Sequence, residues 1–348
     1  MTGSGLRVLM TSYYMPSGSK IGVGHQVHLL ANQLIAQGHH VTVATPCTVT
    51  DSATYETLTL PLTGALRTFR WAFALRRLDM SRYDVLHAHG DDYWLWRRRV
   101  GAHVRTMHGS CLAEAARVPG LKEKLRMLLL GLGELLATLV ADRTVAVSTN
   151  TTHWMPWVRT VIPNGVDATG LAAARTPSPQ PSILFVGTYA NRKRGKLLSD
   201  AFARDVLPAR PDAELWMVCS DAPDSAQVRV LGRVSDEELT ALYLSAWVFC
   251  LPSSYEGFGI PYVEALTAGL PVIATANPGS LELAAHCSGL AIVEDVELGP
   301  ALLTQLEGGP ANGATEQALR RSALEFDIVG VARRYADLYR ELLERNPT

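Results

Sequence analysis

No CxxC pair occurs in this 348-residue chain, and its five cysteines lack the spacing that zinc ligation requires. Cys47, Cys111, Cys219, Cys250 and Cys287 are scattered, several of them in apolar runs such as VFCLP and WMVCS, where a buried free thiol is expected. Neither charge is in excess: 32 Lys and Arg stand against 33 Asp and Glu. That balance excludes a whole-surface attraction to nucleic acid and leaves only local basic patches to weigh. The chain also lacks a signal-peptide opening, because MTGSGLR runs into VLMTSYY without an apolar stretch or cleavage site. Its longest apolar run, Leu125 to Ala141, contains Arg126 and Glu134 and falls short of about 18 uninterrupted apolar residues. A buried helix is expected there, and a cytoplasmic location for the protein.

What the chain does have is 47% hydrophobic residues and a repeating order of apolar strands and helical stretches. RVLMTSYY, the helical HQVHLLANQLIAQG, HHVTVAT, DVLHAH, HVRTMHG, a helical run over 121–139 and RTVAVST follow one another. This order predicts an α/β fold with a parallel sheet covered on both faces. At Ala168 the rhythm stops in ATGLAAARTPSPQPS, which reads as a linker. A second series runs from SILFVGTY to PVIAT, and VGVARRYADLYRELL closes the chain with helical periodicity. The expected organisation is a Rossmann-like domain over 1–168, a linker over 169–182, a second Rossmann-like domain over 183–325 and a C-terminal helix over 326–348. Two such domains place a ligand cleft at the C-terminal edges of both sheets.

Three segments carry chemistry. Gly22, Val23 and Gly24 precede a helix candidate whose orphan N–H groups suit an anion. They do not form GxGxxG, and the second strand ends VATPC, with no acid for a dinucleotide ribose. A plain tight turn explains this pair equally well. Arg192, Lys193, Arg194 and Lys196 surround Gly195 at a strand-to-helix turn, where cations can neutralise a diphosphate; a solvated charge run is the plain alternative. The third segment is SSYEGFGIPYVEALTAG, with Glu256 and Glu264. On one helix these carboxylates would lie about 12 Å apart, beyond the roughly 5–9.5 Å of glycosidase acid pairs. Pro252 and EGFG instead predict a loop followed by a helix starting near Pro261. Glu256 then sits in the loop and Glu264 one turn into the helix, each able to reach a different hydroxyl of one ligand. Gly257 and Gly259 let the backbone approach closely, a pattern suited to polyol and phosphate recognition rather than to proton shuttling.

SSYEGFGIPYVEA resembles the glutamate–seven residues–glutamate signature of retaining nucleotide-sugar glycosyltransferases of the GT-B fold, specifically glycosyltransferase family 4 (glycosyl transferases group 1). The resemblance covers nearly the whole chain in order: IGVGHQVHLLANQLIAQGHHVTV, then MHG at 107–109, VIPNGVD at 161–167, and the run from VRVLG to YVEAL. It implies two Rossmann-like α/β domains facing each other across a deep cleft, with the C-terminal helix crossing back to the first. It also implies that Glu264 binds the nucleotide ribose. Glu256 lies beside the donor sugar with Gly257, Phe258, Gly259 and Ile260. Gly22, Val23 and Gly24 approach the diphosphate or sugar, His108 touches the sugar near the reacting centre, and the Arg233 backbone meets the base. On the same basis Arg192 stabilises the leaving diphosphate in place of the arginine that the family carries where Thr188 stands here, with Lys193 and Arg194 beside it. His89 and Asp91 are expected on the acceptor side, and His87 either there or satisfying backbone groups. Gly279 and Ser280 occupy the family's altered glycine pair.

The implied enzyme needs no metal or cofactor. It moves sugar from a nucleotide-diphosphate donor, UDP ahead of GDP, to an acceptor hydroxyl. The acceptor is a small natural product or aminocyclitol, or else a phosphorylated lipid or polysaccharide. The rival readings are a UDP-sugar epimerase and a non-catalytic sugar-nucleotide-binding protein. LRTFRWAFALRRL at 66–78 and WLWRRRV at 94–100 are basic and aromatic, suiting either peripheral membrane contact or ordinary solvated helices.

Overall fold

A computed structural model describes residues 5–16, 22–48, 52–62, 67–96, 100–116 and 120–345. The first four residues, residues 17–21 ahead of the glycine loop, Leu66, and the arginines at 97–99 lie outside the described residues. The chain forms two compact units, residues 1–165 with 328–348, and residues 166–327.

The first unit contains strands β1 (Arg7–Thr11), β2 (His40–Thr45), β3 (Glu56–Thr59), β4 (Val85–Ala88), β5 (Ala102–Met107), β6 (Arg143–Ala146) and β7 (Thr160–Val161). Its helices are α1 (Gly22–Ala36), α2 (Arg67–Ala74), α3 (Cys111–Ala115), α4 (Leu121–Val140) and α5 (Thr149–His153). The seven strands run parallel in the order β3-β2-β1-β4-β5-β6-β7. β1 shows why: Val8, Leu9, Met10 and Thr11 are all buried, so both sheet faces need covering.

The second unit contains β8 (Ser182–Val186), β9 (Glu214–Val218), β10 (Val228–Val230), β11 (Val248–Leu251), β12 (Val272–Thr275) and β13 (Leu290–Val293). Its helices are α6 (Gly195–Ala201), α7 (Asp236–Ser245), α8 (Ile260–Thr267), α9 (Pro278–His286), α10 (Leu298–Glu307) and α11 (Gly313–Ala323). Its six strands, also parallel, follow the order β10-β9-β8-β11-β12-β13. The segment read as a linker, 169–182, belongs to this unit, with Leu171 and Arg175 buried.

α12 (Ile328–Arg345) belongs to the first unit and packs on α1. Its buried stripe of Ile328, Val331, Ala332, Tyr335, Ala336, Tyr339 and Leu342 has the 3.6-residue period of an amphipathic helix. The stripe joins Val27, Leu30 and Leu34 of α1 and Val8 and Met10 of β1 in one core.

Two expectations need correction. Gly22 and Gly24 do not precede the first helix; they form its first turn. Gly24 is there because a Cβ would stand 2.7 Å from the Met15 Cα. The run over 121–139 is helical but not buried: seven of its leucines, Leu121, Leu125, Leu128, Leu129, Leu132, Leu136 and Leu139, are exposed. None of the described helices is long and apolar enough to cross a membrane. All five cysteines are free; Cys219, Cys250 and Cys287 are buried, and Cys47 and Cys111 are half-buried.

Candidate active site

In the first unit the strand order reverses between β1 and β4, and a parallel sheet receives ligands at the C-terminal end of such a switch point. His89 and Asp91 follow β4 directly, and His108 follows β5. Gly22 opens α1 after β1, and Gln26 holds α1 in place: its side chain exchanges two 2.9 Å hydrogen bonds with the Gly165 backbone.

His89 Nδ1 and His108 Nε2 share a 3.0 Å hydrogen bond, with their rings stacked 5.3 Å apart. Burial pulls His108 down to about 4, opposed by the Asn164 side chain and reinforced by Arg105. His89 falls well below its ordinary value, from burial first and then from His87, His108 and Arg105. Both rings are therefore neutral near pH 7, one donating and the other accepting.

Asp91 has a left-handed backbone, φ 61°, and is partly open to solvent. Its crowded surroundings push the carboxyl up to about 7, with Arg105 opposing and Glu134 adding to the rise. Arg105, inside β5, is neutralised by the fully buried Asp92, whose other oxygen lies 3.1 Å from His103 Nε2. A charge inside a buried strand requires such a partner. Together His89, Asp91, Arg105, His108, Ser110 and Glu134 help line a cavity of about 320 Å³. His89 Nε2, Tyr93 Oη, Arg105 Nε and Ser110 Oγ are buried there without hydrogen-bond partners. Buried polar atoms in that state suit a ligand rich in hydroxyls.

His87 is not part of this wall. It is fully buried, bonded to Thr106 Oγ1 at 2.7 Å and to Tyr339 Oη at 2.6 Å.

In the second unit the order reverses between β8 and β11, and the two loops at that point carry the basic turn and the EGFG segment. The loops clamp each other. The Arg192 carbonyl accepts from Ser254 N at 2.9 Å and Ser253 Oγ at 3.1 Å, while Arg192 Nη1 donates to the Tyr255 carbonyl at 3.0 Å. Glu256 is buried, and Lys193 Nζ stands 2.8 Å from its Oε1, an ion pair rather than an aligned hydrogen bond. Arg192 reaches only to 3.8 Å of Glu256 and is half-exposed. Arg194, also left-handed at φ 56°, turns to Asp295. Lys193 is thus the cation nearest Glu256, a ranking that RKR in sequence does not reveal.

Gly259 caps α8 with φ 99°, and Glu264 lies in the second turn, where its Oε2 accepts from Tyr243 Oη at 2.9 Å. Gly257 is half-buried in the loop, Phe258 packs 5.6 Å from Phe326, and Ile260 opens α8. Arg233, just beyond Gly232 with its φ of 65°, is exposed. Gly279 N donates to the Glu256 carbonyl at 2.9 Å, so the start of α9 supports the EGFG loop. The Ser280 hydroxyl is consumed by the α9 capping box with Asn277 and by the Thr275 carbonyl.

Asp92, Glu134, Tyr93 and Tyr243 escaped the sequence reading. Arg105 within HVRTM was the available signal, since an arginine amid buried strand residues needs an acid nearby. Among the described residues no group of three or more His, Cys, Asp or Glu could hold a metal ion.

Two Rossmann-like units with charged loops at their switch points define a GT-B protein, and the chain belongs to the glycosyltransferases of family 4 and group 1. Residues 21–169 match Glycosyltransferase Family 4, and residues 171–297 match Glycosyl transferases group 1. Over 202 residues the chain is 30% identical to the GDP-mannose:cellobiosyl-diphosphopolyprenol alpha-mannosyltransferase of Komagataeibacter xylinus, covering 53% of this chain and 51% of that protein. It is 30% identical over 203 residues to the MMP alpha-(1->4)-mannosyltransferase of Mycolicibacterium hassiacum, covering 53% and 49%. The chain spans about half the length of these curated relatives. Sucrose-phosphate synthase of Thermosynechococcus elongatus shares the fold with a TM-score of 0.76 at 20% identity, over 98% of this chain and 100% of that one.

Proposed function

We propose that this protein transfers a sugar from a nucleoside-diphosphate sugar to an acceptor hydroxyl, retaining the anomeric configuration. The observation that carries this reading is the placement of Lys193 at 2.8 Å from buried Glu256, at the β8/β11 switch point. A cation held beside a carboxylate can meet the diphosphate while the carboxylate meets the sugar hydroxyls. Arg192, half-exposed next to it, adds charge to the leaving group, and Gly257, Phe258, Gly259 and Ile260 line the donor side. Glu264, oriented by Tyr243, binds the ribose, and the Arg233 backbone meets the base. Gly22, Val23 and Gly24 present helix N–H groups to the donor.

His108 contacts the transferring sugar, and neutral His89 fixes its ring. Asp91 and the unpartnered polar atoms around it bind the acceptor. The reaction assigns no step to a metal.

GDP-mannose is the first donor to test, because the Komagataeibacter relative is named for it. The acceptor in that relative's name, a cellobiosyl-diphosphopolyprenol, supports a lipid-linked acceptor ahead of an aminocyclitol. A panel of GDP-, UDP- and ADP-sugars scored by thermal stabilisation identifies the donor through linkage. Donor turnover with and without acceptor, and the product anomer by NMR, then test transfer. Donor binding without turnover, or an inverted product, overturns the reading.

A further inference from the structure

α4 is built inside out. Leu125, Leu128, Leu129, Leu132, Leu136 and Leu139 are all exposed, Leu139 by 70%, and at 3.6 residues per turn they fall within an arc of about 100°. The opposite side holds buried Gly131 and Ala137, and Met127, Leu130 and Glu134, which line the cavity. No acid interrupts the stripe: Glu123 pairs with Arg126, and Glu134 accepts from Cys111 N at 2.9 Å. A helix covering a core on one side and solvated on the other would reverse this pattern.

The neighbouring α2 exposes aromatic side chains of its own. Phe69 and Phe73 are exposed, and the Arg76 and Arg77 guanidinium groups lie 5.8 and 5.9 Å from the Phe73 ring. Tyr93 forms the seam, packed in one cluster with Ala72 of α2 and Ala137 of α4, and the exposed Trp94 follows it. On the other flank of α4, exposed Trp157 donates Nε1 to Thr138 Oγ1 at 3.1 Å.

We propose that α2 and α4 form a docking face that seats the first unit on an anionic lipid bilayer. A charge-free leucine stripe edged by tryptophans and accompanied by arginines is the composition of a helix lying in a membrane interface. The 20 residues of α4 give a contact line of about 30 Å. A second copy of the chain is the poorer occupant, because the leucine stripe carries no acid to pair with Arg76 and Arg77 across a two-fold contact. Docking also has a consequence for the cavity. α4 separates it from the leucines, so the cavity stands about one helix diameter, roughly 10 Å, from the lipid headgroups. This surface does not depend on the transfer reaction, since binding is read without donor or acceptor.

The test is co-sedimentation of the full chain with vesicles of phosphatidylcholine alone and with about one-third phosphatidylglycerol. The wild type should partition at least about tenfold better into the anionic vesicles, with the preference fading at high salt. Leu132→Asp/Leu136→Asp should lose binding to both by at least about tenfold, while Arg76→Glu/Arg77→Glu should lose only the anionic preference. Circular dichroism and the thermal midpoint, unchanged in both variants, show that they fold. Failure to sediment with either vesicle, or a leucine variant that binds like wild type, overturns the proposal. So does a dimer in light scattering that the leucine variant abolishes without any vesicle binding.

Discussion

His89 Nδ1 lies 3.0 Å from His108 Nε2, which ties the residue after β4 to the residue after β5 at the switch edge of the first sheet. Because burial keeps both rings neutral, His108 can offer a hydrogen bond to a sugar without adding positive charge beside it. His108→Ala is expected to lower kcat by about 10²–10³-fold, the scale of one lost transition-state donor. Donor affinity by thermal shift should stay within about threefold of wild type, because in this reading the second unit holds the nucleotide. A loss of donor affinity with kcat unchanged would assign His108 to binding alone.

Lys193 and Arg192 should separate cleanly in stability. Lys193 is close to Glu256 and mostly buried, whereas Arg192 is half-exposed and farther away. Lys193→Met leaves a buried carboxylate without its main counter-ion and should destabilise by about 1–3 kcal/mol. Arg192→Met should cost under about 1 kcal/mol in stability while still reducing turnover. Urea unfolding of both variants with parallel kinetics checks the contrast. Equal unfolding midpoints would show that the ion pair carries no stability.

Gly279→Ala should damage the EGFG loop from behind. A Cβ there would meet the Phe258 carbonyl oxygen at 2.6 Å and the Glu256 Cβ at 3.0 Å. The backbone must shift, at a cost of about 1–3 kcal/mol, and donor KM should rise because the displaced segment carries Glu256. Ser280→Ala, which removes the capping-box partner of Asn277 and the bond to the Thr275 carbonyl, should cost about 1–2 kcal/mol with little change in KM. A KM unaffected by Gly279→Ala would separate this packing from donor binding.

Acid should destabilise the fold. Burial lowers His87 to about 3, His103 and His108 to about 4, and His89 well below its ordinary value. Unfolded histidine titrates near 6.5, so as pH falls from 6.5 toward 4 the unfolded chain binds more protons than the native one and stability drops. Asp91, raised to about 7, and Glu134, raised as well, have the opposite sign, because there the native state binds the extra proton. Four depressed rings outweigh two raised carboxyls. The thermal midpoint should decrease steadily from pH 7 to pH 5; a flat or rising midpoint would show that these rings are hydrated or charged in the native state.

The fold was legible because strand and helix periods alternate along most of the chain, and because parallel strands buried on both faces read as continuous apolar runs. β3, β7, β13 and helices α3, α5 and α9 to α11 were missed: they are short, or their apolar residues follow no clean period. The exposed leucines of α4 misled for a related reason. Periodicity reveals that a helix has an apolar face but not which way that face points.

Glu256 and Glu264 were placed on a loop and a helix from Pro252, EGFG and Pro261 alone, because proline and glycine restrict the backbone locally. Local sequence likewise located the basic turn, whereas the MHG histidine came from the family resemblance and the two glycines were expected ahead of α1 rather than in its first turn. Which cation pairs with Glu256, which histidine is core and which faces the cavity, and how Arg105 is neutralised were decided by tertiary structure. Those outcomes depend on strand order, which brings β8 beside β11 and β4 beside β5 and so sets side chains 63 residues apart (Lys193 and Glu256) within 2.8 Å of each other.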